Sequence, residues 1–371
     1  MISCFYSLSK VYPAEELFLE VNRANDIATN VRSRVEYTVQ CQKTGCRAGL
    51  PKKIMPKKIV LDIDPGVVDA MTLCLAAFDP TVEIVALTSV GGNVPADVAA
   101  KNLQALVEFL DPPRLPRLGT GSPPEEPVPF DYQHIHGDDG LGGGSPLPVV
   151  ERRSPHPAEK VLCDAIRSDP ENVIVICLGP LTNIARAVAR DPELPNMIRH
   201  IYIAGGSLNG QGNATPCAEF NIYADVEAAE TVFRLPCTKT LVPLDVTNSV
   251  LLTLHHLELF PSSKTKLGKL LHEMVPPALW SYHRCYGLEG LPIHDLVTYM
   301  VAVHPAWAKT KEFPVQIETM GELTRGMTVA DQRLVPEYAP NIEVVTKIKI
   351  ASIMREILQG LERSTKCLET E

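Results

Sequence analysis

An open, mostly parallel α/β sheet flanked by helices, doubly wound in the Rossmann-like manner and ending in a C-terminal β-hairpin, is the fold predicted for this chain of 371 residues. Two features predict it. From Lys57 onward, apolar runs of strand length alternate with helix-period patterns, the mark of βαβ units and a parallel sheet. Acidic, Gly and Pro residues gather where those runs end, and the carboxyl ends of parallel strands are where such sheets bind ligands.

Each element follows in order. Ile59–Ile63 is a buried strand, and the helical pattern after it covers Asp69–Phe78. Ile84–Val90 is the second strand and Ala96–Leu110 its helix. Asp111–Pro157 is rich in Pro and Gly and too irregular for a core element, so it is expected to be a long loop kept for function or disordered. Val173–Leu178 and Ile201–Ala204 are further strands, each followed by a turn and a helical stretch. Pro314–Thr319 and Gly326–Asp331 pair as the hairpin, and a strand at Ile342–Lys347 and an amphipathic helix at Ile350–Leu361 complete the domain. The expected organisation is an N-terminal extension over residues 1–54, poorly ordered or wrongly joined upstream of Met55, a domain over 55–365 and a tail over 366–371.

Composition narrows the partners. A formal charge of −9 with no Lys/Arg run disfavours nucleic acid and anionic membrane. No apolar stretch approaches the roughly 20 residues that span a bilayer. The ten cysteines form no CxxC pair, and Cys74, Cys163 and Cys177 fall in apolar segments, so a reduced, cytoplasmic protein is expected.

The chemistry concentrates in Asp62-Ile-Asp64-Pro-Gly-Val-Val68-Asp69. Carboxylates at the mouth of a buried strand are costly unless a cation or hydrogen bonds compensate them. Asp64 ends the strand and Asp69 opens the next helix, where the dipole favours an anion. Their convergence without Lys or Arg points to a hard cation, Ca²⁺ or Mg²⁺; a helix cap with a buried polar network is the plainer alternative. A phosphatase of the haloacid-dehalogenase type also begins with a strand ending in Asp-x-Asp, but that motif wants Thr or Val where Gly66 stands, and its later Lys and acidic pair are not evident.

This stretch resembles the Asp-x-Asp-Pro-Gly-x-Asp-Asp-Ala signature of the inosine-uridine preferring nucleoside hydrolase family. The likeness extends over about Pro56–Leu361 through Val90-Gly-Gly-Asn93, His134-Ile-His136-Gly, Leu178-Gly-Pro-Leu-Thr-Asn183, Gly205-Gly206, Asn213-Ala-Thr-Pro-Cys-Ala-Glu219-Phe-Asn221, His294-Asp295 and Gly321–Asp331. The resemblance implies a nucleoside hydrolase fold and a Ca²⁺ ion held by Asp64, Asp69, the Leu178 carbonyl and Asp295. It implies Asp64 as general base on a water that attacks the anomeric carbon, and Asn93, Asn213, Glu219 and Asn221 on the ribose hydroxyls. His294 is implied to assist the departing base, and His136 to touch the base from a loop. A small-molecule ribonucleoside is the implied substrate, and a homodimer or homotetramer the implied assembly.

Two positions depart from the pattern. Val68 stands where the signature has the first Asp of its pair, whose carboxylate in relatives bonds the ribose 2′-hydroxyl. Ala204 stands where many relatives carry Met. Three readings follow: a working but slowed N-ribohydrolase, a catalytically silent relative that still binds calcium and a ribonucleoside, and a protein kept for oligomer assembly.

Overall fold

Strand β1 (Lys57–Ile63) shows how the chain builds its layers. Ile59, Leu61 and Ile63 pack into one hydrophobic cluster and Val60 into another, on the opposite face. This is the period-2 alternation of a strand covered on both sides. In β5, Ile174 and Ile176 join the first cluster, while Val173, Val175 and Cys177 join the second. The computed structural model describes residues 55–124, 133–143, 147–148 and 156–369, and the N-terminal extension lies outside them.

The strands run β1 (Lys57–Ile63), β2 (Val82–Ser89), β3 (Arg117–Thr120), β4 (His156–Pro157), β5 (Val173–Cys177), β6 (His200–Ala204), β7 (Lys239–Val242), β8 (Leu251–Leu252), β9 (Leu291–Pro292), β10 (Ala308–Phe313), β11 (Val315–Ile317), β12 (Thr328–Ala330) and β13 (Ile342–Ile348). Nine form one sheet in the order β10-β13-β7-β6-β5-β1-β2-β3-β4. All its pairings are parallel except β10 with β13. Helices Val67–Ala76, Ala96–Leu110, Lys266–Tyr286, His294–Val303 and Ile350–Glu369 supply the first cluster; Ala158–Ser168, Thr182–Arg190 and Val226–Phe233 supply the second. The doubly wound sheet is therefore as predicted, and β11 pairs antiparallel with β12 as the predicted hairpin.

Three expectations are corrected. The segment Asp111–Pro157 does contain sheet strands: β3 pairs with β2 and β4 with β3. Its strand Arg-Leu-Gly-Thr has little apolar content to reveal it. Gly119 is placed where a Cβ would lie 2.8 Å from the Thr88 methyl and 2.9 Å from Ala158, so close packing, not hydrophobicity, holds the strand in place. The final helix runs to Glu369 rather than stopping at Leu361. Ser364 and Thr365 are buried and return their hydroxyls to the carbonyls of Gly360 and Leu361, so polar residues continue a buried helix face. The first helix begins at Val67 and ends at Ala76, which places Val68 inside it. Among the described residues, no helix is long and apolar enough to cross a membrane. Cys74, Cys163 and Cys177 are buried thiols, and burial pushes the Cys74 thiol up to about 12.

Candidate active site

In the sheet, β1 has β5 on one side and β2 on the other. Chain order runs outward from this point through β2, β3 and β4 on one side and β5, β6 and β7 on the other, so the ends of β1 and β5 flank the topological switch point where open α/β sheets bind ligands. Asp64 follows β1, Asn93 follows β2, Leu178 follows β5 and Gly205 follows β6. The predicted residues Asn93, His136, Leu178, Asn213, Glu219, Asn221, His294 and Asp295 line one cavity there, together with Val68, Ala204, Thr247 and Tyr282. A second, mostly apolar cavity lies at the opposite ends of β1 and β2, lined by residues such as Leu73, Phe78, Pro112 and Pro116.

Asp64 and Asp69 sit behind the cavity wall, with no exposed surface. The backbone N–H of Asn93 donates to Asp64 Oδ2 at 2.7 Å, and its side-chain amide donates to Asp69 Oδ2 at 3.3 Å. Asn93 thus clips the two carboxylates together. Asp69 Oδ2 also accepts the Gly66 N–H at 3.1 Å at the start of the helix Val67–Ala76. The helix-cap alternative is therefore real, but it accounts for only one oxygen. Asp64 Oδ1 and Asp69 Oδ1 are buried and make no hydrogen bond. Two orphaned carboxylate oxygens at one site are costly without a cation or protons.

Glycines shape this cradle. A Cβ on Gly92 would lie 2.1 Å from Asp64 Oδ2, and one on Gly179 would lie 2.9 Å from Asp64 Oδ1. A Cβ on Gly66 would lie 2.8 Å from His136 Nδ1. Beneath them, Asp62 Oδ1 accepts from Thr88 Oγ1 at 2.5 Å and from Asn183 Nδ2 at 2.8 Å, bracing the strand end.

Electrostatics tie the carboxylates together. Burial, then the charges of Asp69 and Asp295, hold Asp64 well above the usual carboxylate range. Burial raises Asp69 to about 6, and burial with Asp69 and Glu219 raises Asp295 well above its ordinary value. Glu219 is raised to about 7 by burial, against the opposing backbone N–H groups it accepts. The donors are all oxygen, as a hard cation requires. Among the described residues, no three His, Cys, Asp or Glu side chains stand at metal-ligand spacing. The fit to a cation accordingly rests on the orphaned oxygens and the glycine cradle.

The polar wall is pre-set. Asn221 donates both amide hydrogens, to the Leu178 carbonyl at 2.7 Å and the Ala204 carbonyl at 3.0 Å, which leaves its Oδ1 as the group offered to a ligand. A carbonyl has two lone pairs, so Leu178 retains one. Asn213 Oδ1 accepts the Phe220 N–H at 2.8 Å, seven residues on, and so ties the loop to the helix that Phe220 opens. The Val67 N–H points to His136 Nδ1 at 3.4 Å. His294 Nδ1 lies 2.8 Å from Thr247 Oγ1, and burial lowers His294 to about 4. Val68, 6% exposed, places its branched alkyl group against the same cavity. Sequence reasoning missed Thr247, Tyr282, Gly92 and Gly179. The Gly91-Gly92 pair was a visible signal, whereas nothing adjacent to Thr247 marked it.

Fold and site together define a class: an open-sheet α/β protein with a carboxylate cluster and amide-lined pocket at its switch point. The family model of the inosine-uridine preferring nucleoside hydrolase matches residues 59–355. The chain is 34% identical over 308 residues to the non-specific ribonucleoside hydrolase RihC of Escherichia fergusonii, covering 83% of this chain and 99% of that protein. It is 37% identical over 304 residues to RihC of Escherichia coli K12, covering 82% and 97%. Among solved structures it is similar to the purine-preferring ribonucleoside hydrolase from Gardnerella vaginalis, with a TM-score of 0.78, 28% identity and coverage of 84% and 100%. It is also similar to the plant nucleoside hydrolase PpNRh1, with a TM-score of 0.77, 29% identity and coverage of 83% and 99%. The chain belongs to the inosine-uridine preferring nucleoside hydrolase family.

Proposed function

We propose that this chain is a calcium-dependent ribonucleoside N-ribohydrolase of nucleoside catabolism or salvage, a cytoplasmic homodimer or homotetramer whose rate is reduced by Val68. The observation that carries the reading is the pair of orphaned oxygens, Asp64 Oδ1 and Asp69 Oδ1, clipped together by Asn93 beside the cavity. Asp64, Asp69, Asp295 and the Leu178 carbonyl are the groups to hold the ion. When bound, calcium supplies positive charge that lowers the pKa of water and anchors vicinal hydroxyls.

The chain's own residues do the rest. Asp64 takes a proton from the attacking water as its oxygen bonds to the anomeric carbon and the carbon–nitrogen bond to the base breaks, its electron pair leaving with the base. Positive charge develops on the sugar in such cleavages. The carboxylates and the Asn221 and Asn93 side-chain oxygens are the groups assigned to stabilise it. Asn213 and Glu219 are assigned to complete the grip on the sugar, and His136 and His294, which line the same cavity, to the departing base.

Val68 gives this reading its limit. Replacing a carboxylate that accepts a hydroxyl proton removes a charge-assisted bond of about 1.5–3 kcal/mol, roughly ten- to 160-fold in rate if the bond matters in the transition state. Ribose release from inosine, uridine, adenosine and cytidine, with and without a chelator, tests the function. Release abolished by chelation and restored by Ca²⁺ is expected; release from none of the four, or release indifferent to the chelator, rejects it. Val68 at the cavity wall also favours a second reading, a silent binder of calcium and ribonucleoside, which the same assay separates when combined with a binding measurement.

A further inference from the structure

Thr247 is one of the most deeply buried polar residues at the cavity, 1% exposed on the short helix Leu244–Thr247 after β7. Its hydroxyl has two partners, the Pro243 carbonyl at 3.3 Å and His294 Nδ1 at 2.8 Å. A threonine hydroxyl carries a single proton and accepts through its lone pairs. Placing that proton on the Pro243 carbonyl lets both contacts be hydrogen bonds, with Nδ1–H of His294 donating to Oγ1. Placing it on Nδ1 leaves the Pro243 contact unmade. Thr247 is closed to solvent, so the arrangement that satisfies both of its contacts is preferred. Among the described residues, the other ring nitrogen, Nε2, makes no hydrogen bond, and it is not sealed from the cavity that His294 lines.

We propose that Thr247 is a positioning residue that holds His294 with its proton on Nδ1, so that Nε2 meets the ligand as a hydrogen-bond acceptor. His294 therefore enters the reaction by taking a hydrogen bond from an O–H or N–H of the ligand. Any proton it passes to a departing base must first arrive at Nε2. Only the ligand half of this statement rests on the nucleoside reading. The tautomer rests on the Pro243–Thr247–His294 chain alone.

The test uses the full chain, labelled with ¹⁵N-histidine and kept in CaCl₂, with His294→Asn identifying the His294 signals. Two-bond ¹⁵N–¹H correlation spectra read which ring nitrogen is protonated. The wild type is expected to show Nδ1 protonated and Nε2 bare. Thr247→Val is expected to lose that preference while Thr247→Ser, which keeps the hydroxyl, retains it. A wild-type ring protonated on Nε2, or a Thr247→Val spectrum unchanged at His294, overturns the proposal whether or not the protein hydrolyses anything. Where ribose release is observed, Thr247→Val is expected to lower kcat/KM roughly ten-fold, with recovery in Thr247→Ser. Repeating this with 5′-deoxyinosine and 1-methylinosine locates the ligand donor: the Thr247→Val effect shrinks on the analogue lacking that donor. An effect undiminished on both overturns the ligand half and leaves the nucleoside reading standing.

Discussion

At Gly92 the missing side chain is what the site depends on. Its Cα is so close to Asp64 that a methyl group would fall 2.1 Å from Oδ2 and 2.9 Å from Pro180 Cδ. The first atoms met are those of the Asp64 carboxylate, whose Oδ1 has no hydrogen bond to hold it, so it is the carboxylate that must turn. Gly92→Ala is therefore expected to lower kcat/KM for nucleoside cleavage by about a hundred-fold or more, two tenfold steps of transition-state stabilisation, while the protein still unfolds cooperatively. Unchanged kinetics in that variant show that Asp64 is not set by this contact. Val68→Asp works in the opposite direction and is expected to raise kcat/KM for inosine or uridine about ten-fold or more, from one recovered charge-assisted bond. A variant no faster than a wild type that turns over removes the role given to position 68. The contrast shows what was legible at this scale. Acidic residues beside a strand end and the Asn-Glu-Asn run announce themselves by chemical type, because few packing roles explain them. Gly92, Gly179 and Thr247 act through distance and hydrogen-bond direction, and those belong to the folded state.

The elements divide in the same way. Strands β1, β2, β5 and β6 carry apolar runs buried on both faces and were readable from composition. Strand β7 was not, since Lys239-Thr-Leu-Val is half polar, yet all four residues are buried. Lys239 achieves this by donating to the carbonyls of Leu235 and Cys237. Thr240 does so as the middle of a chain across three strands: His200 on β6 meets Thr240 Oγ1 at 2.8 Å, and Thr240 donates to Glu343 on β13 at 3.3 Å. Burial, with the nearby Arg199 charge, lowers His200 to about 4. The folded protein therefore resists a proton that the unfolded chain accepts near 6.5. Between those values the unfolded state binds more protons, so this contribution is complete above about 6.5 and is lost as pH falls towards about 4. Replacing His200 by Gln is expected to flatten that part of the stability curve. Melting temperatures of wild type and His200→Gln from pH 7.5 to 4.5 check it, and parallel curves reject the linkage.

Across the whole molecule, a single topological decision places the site. Because β5 returns beside β1 while β2 and β3 extend the other way, loops from both halves meet at one mouth. Residues as distant as Asp69 and Asp295 feel each other's charge there. The like charge collected there opposes folding unless a cation or protons offset it. A ligand that binds only the folded state stabilises it by RT ln(1 + [L]/Kd), about 2.7 kcal/mol at a hundred-fold excess over Kd. Calcium is therefore expected to raise the melting temperature by several degrees at neutral pH, with a shift that grows logarithmically with concentration. Asp64→Asn removes one negative charge and one orphaned oxygen. It is expected to weaken the calcium shift, and also to melt higher than wild type in the chelator, because it relieves repulsion that the ion otherwise balances. This double outcome discriminates. A merely damaged fold lowers stability under both conditions, whereas a carboxylate retained for a cation loses the shift and gains stability without the ion. Wild-type melting that is indifferent to calcium removes the ion from the site and the proposed water chemistry with it.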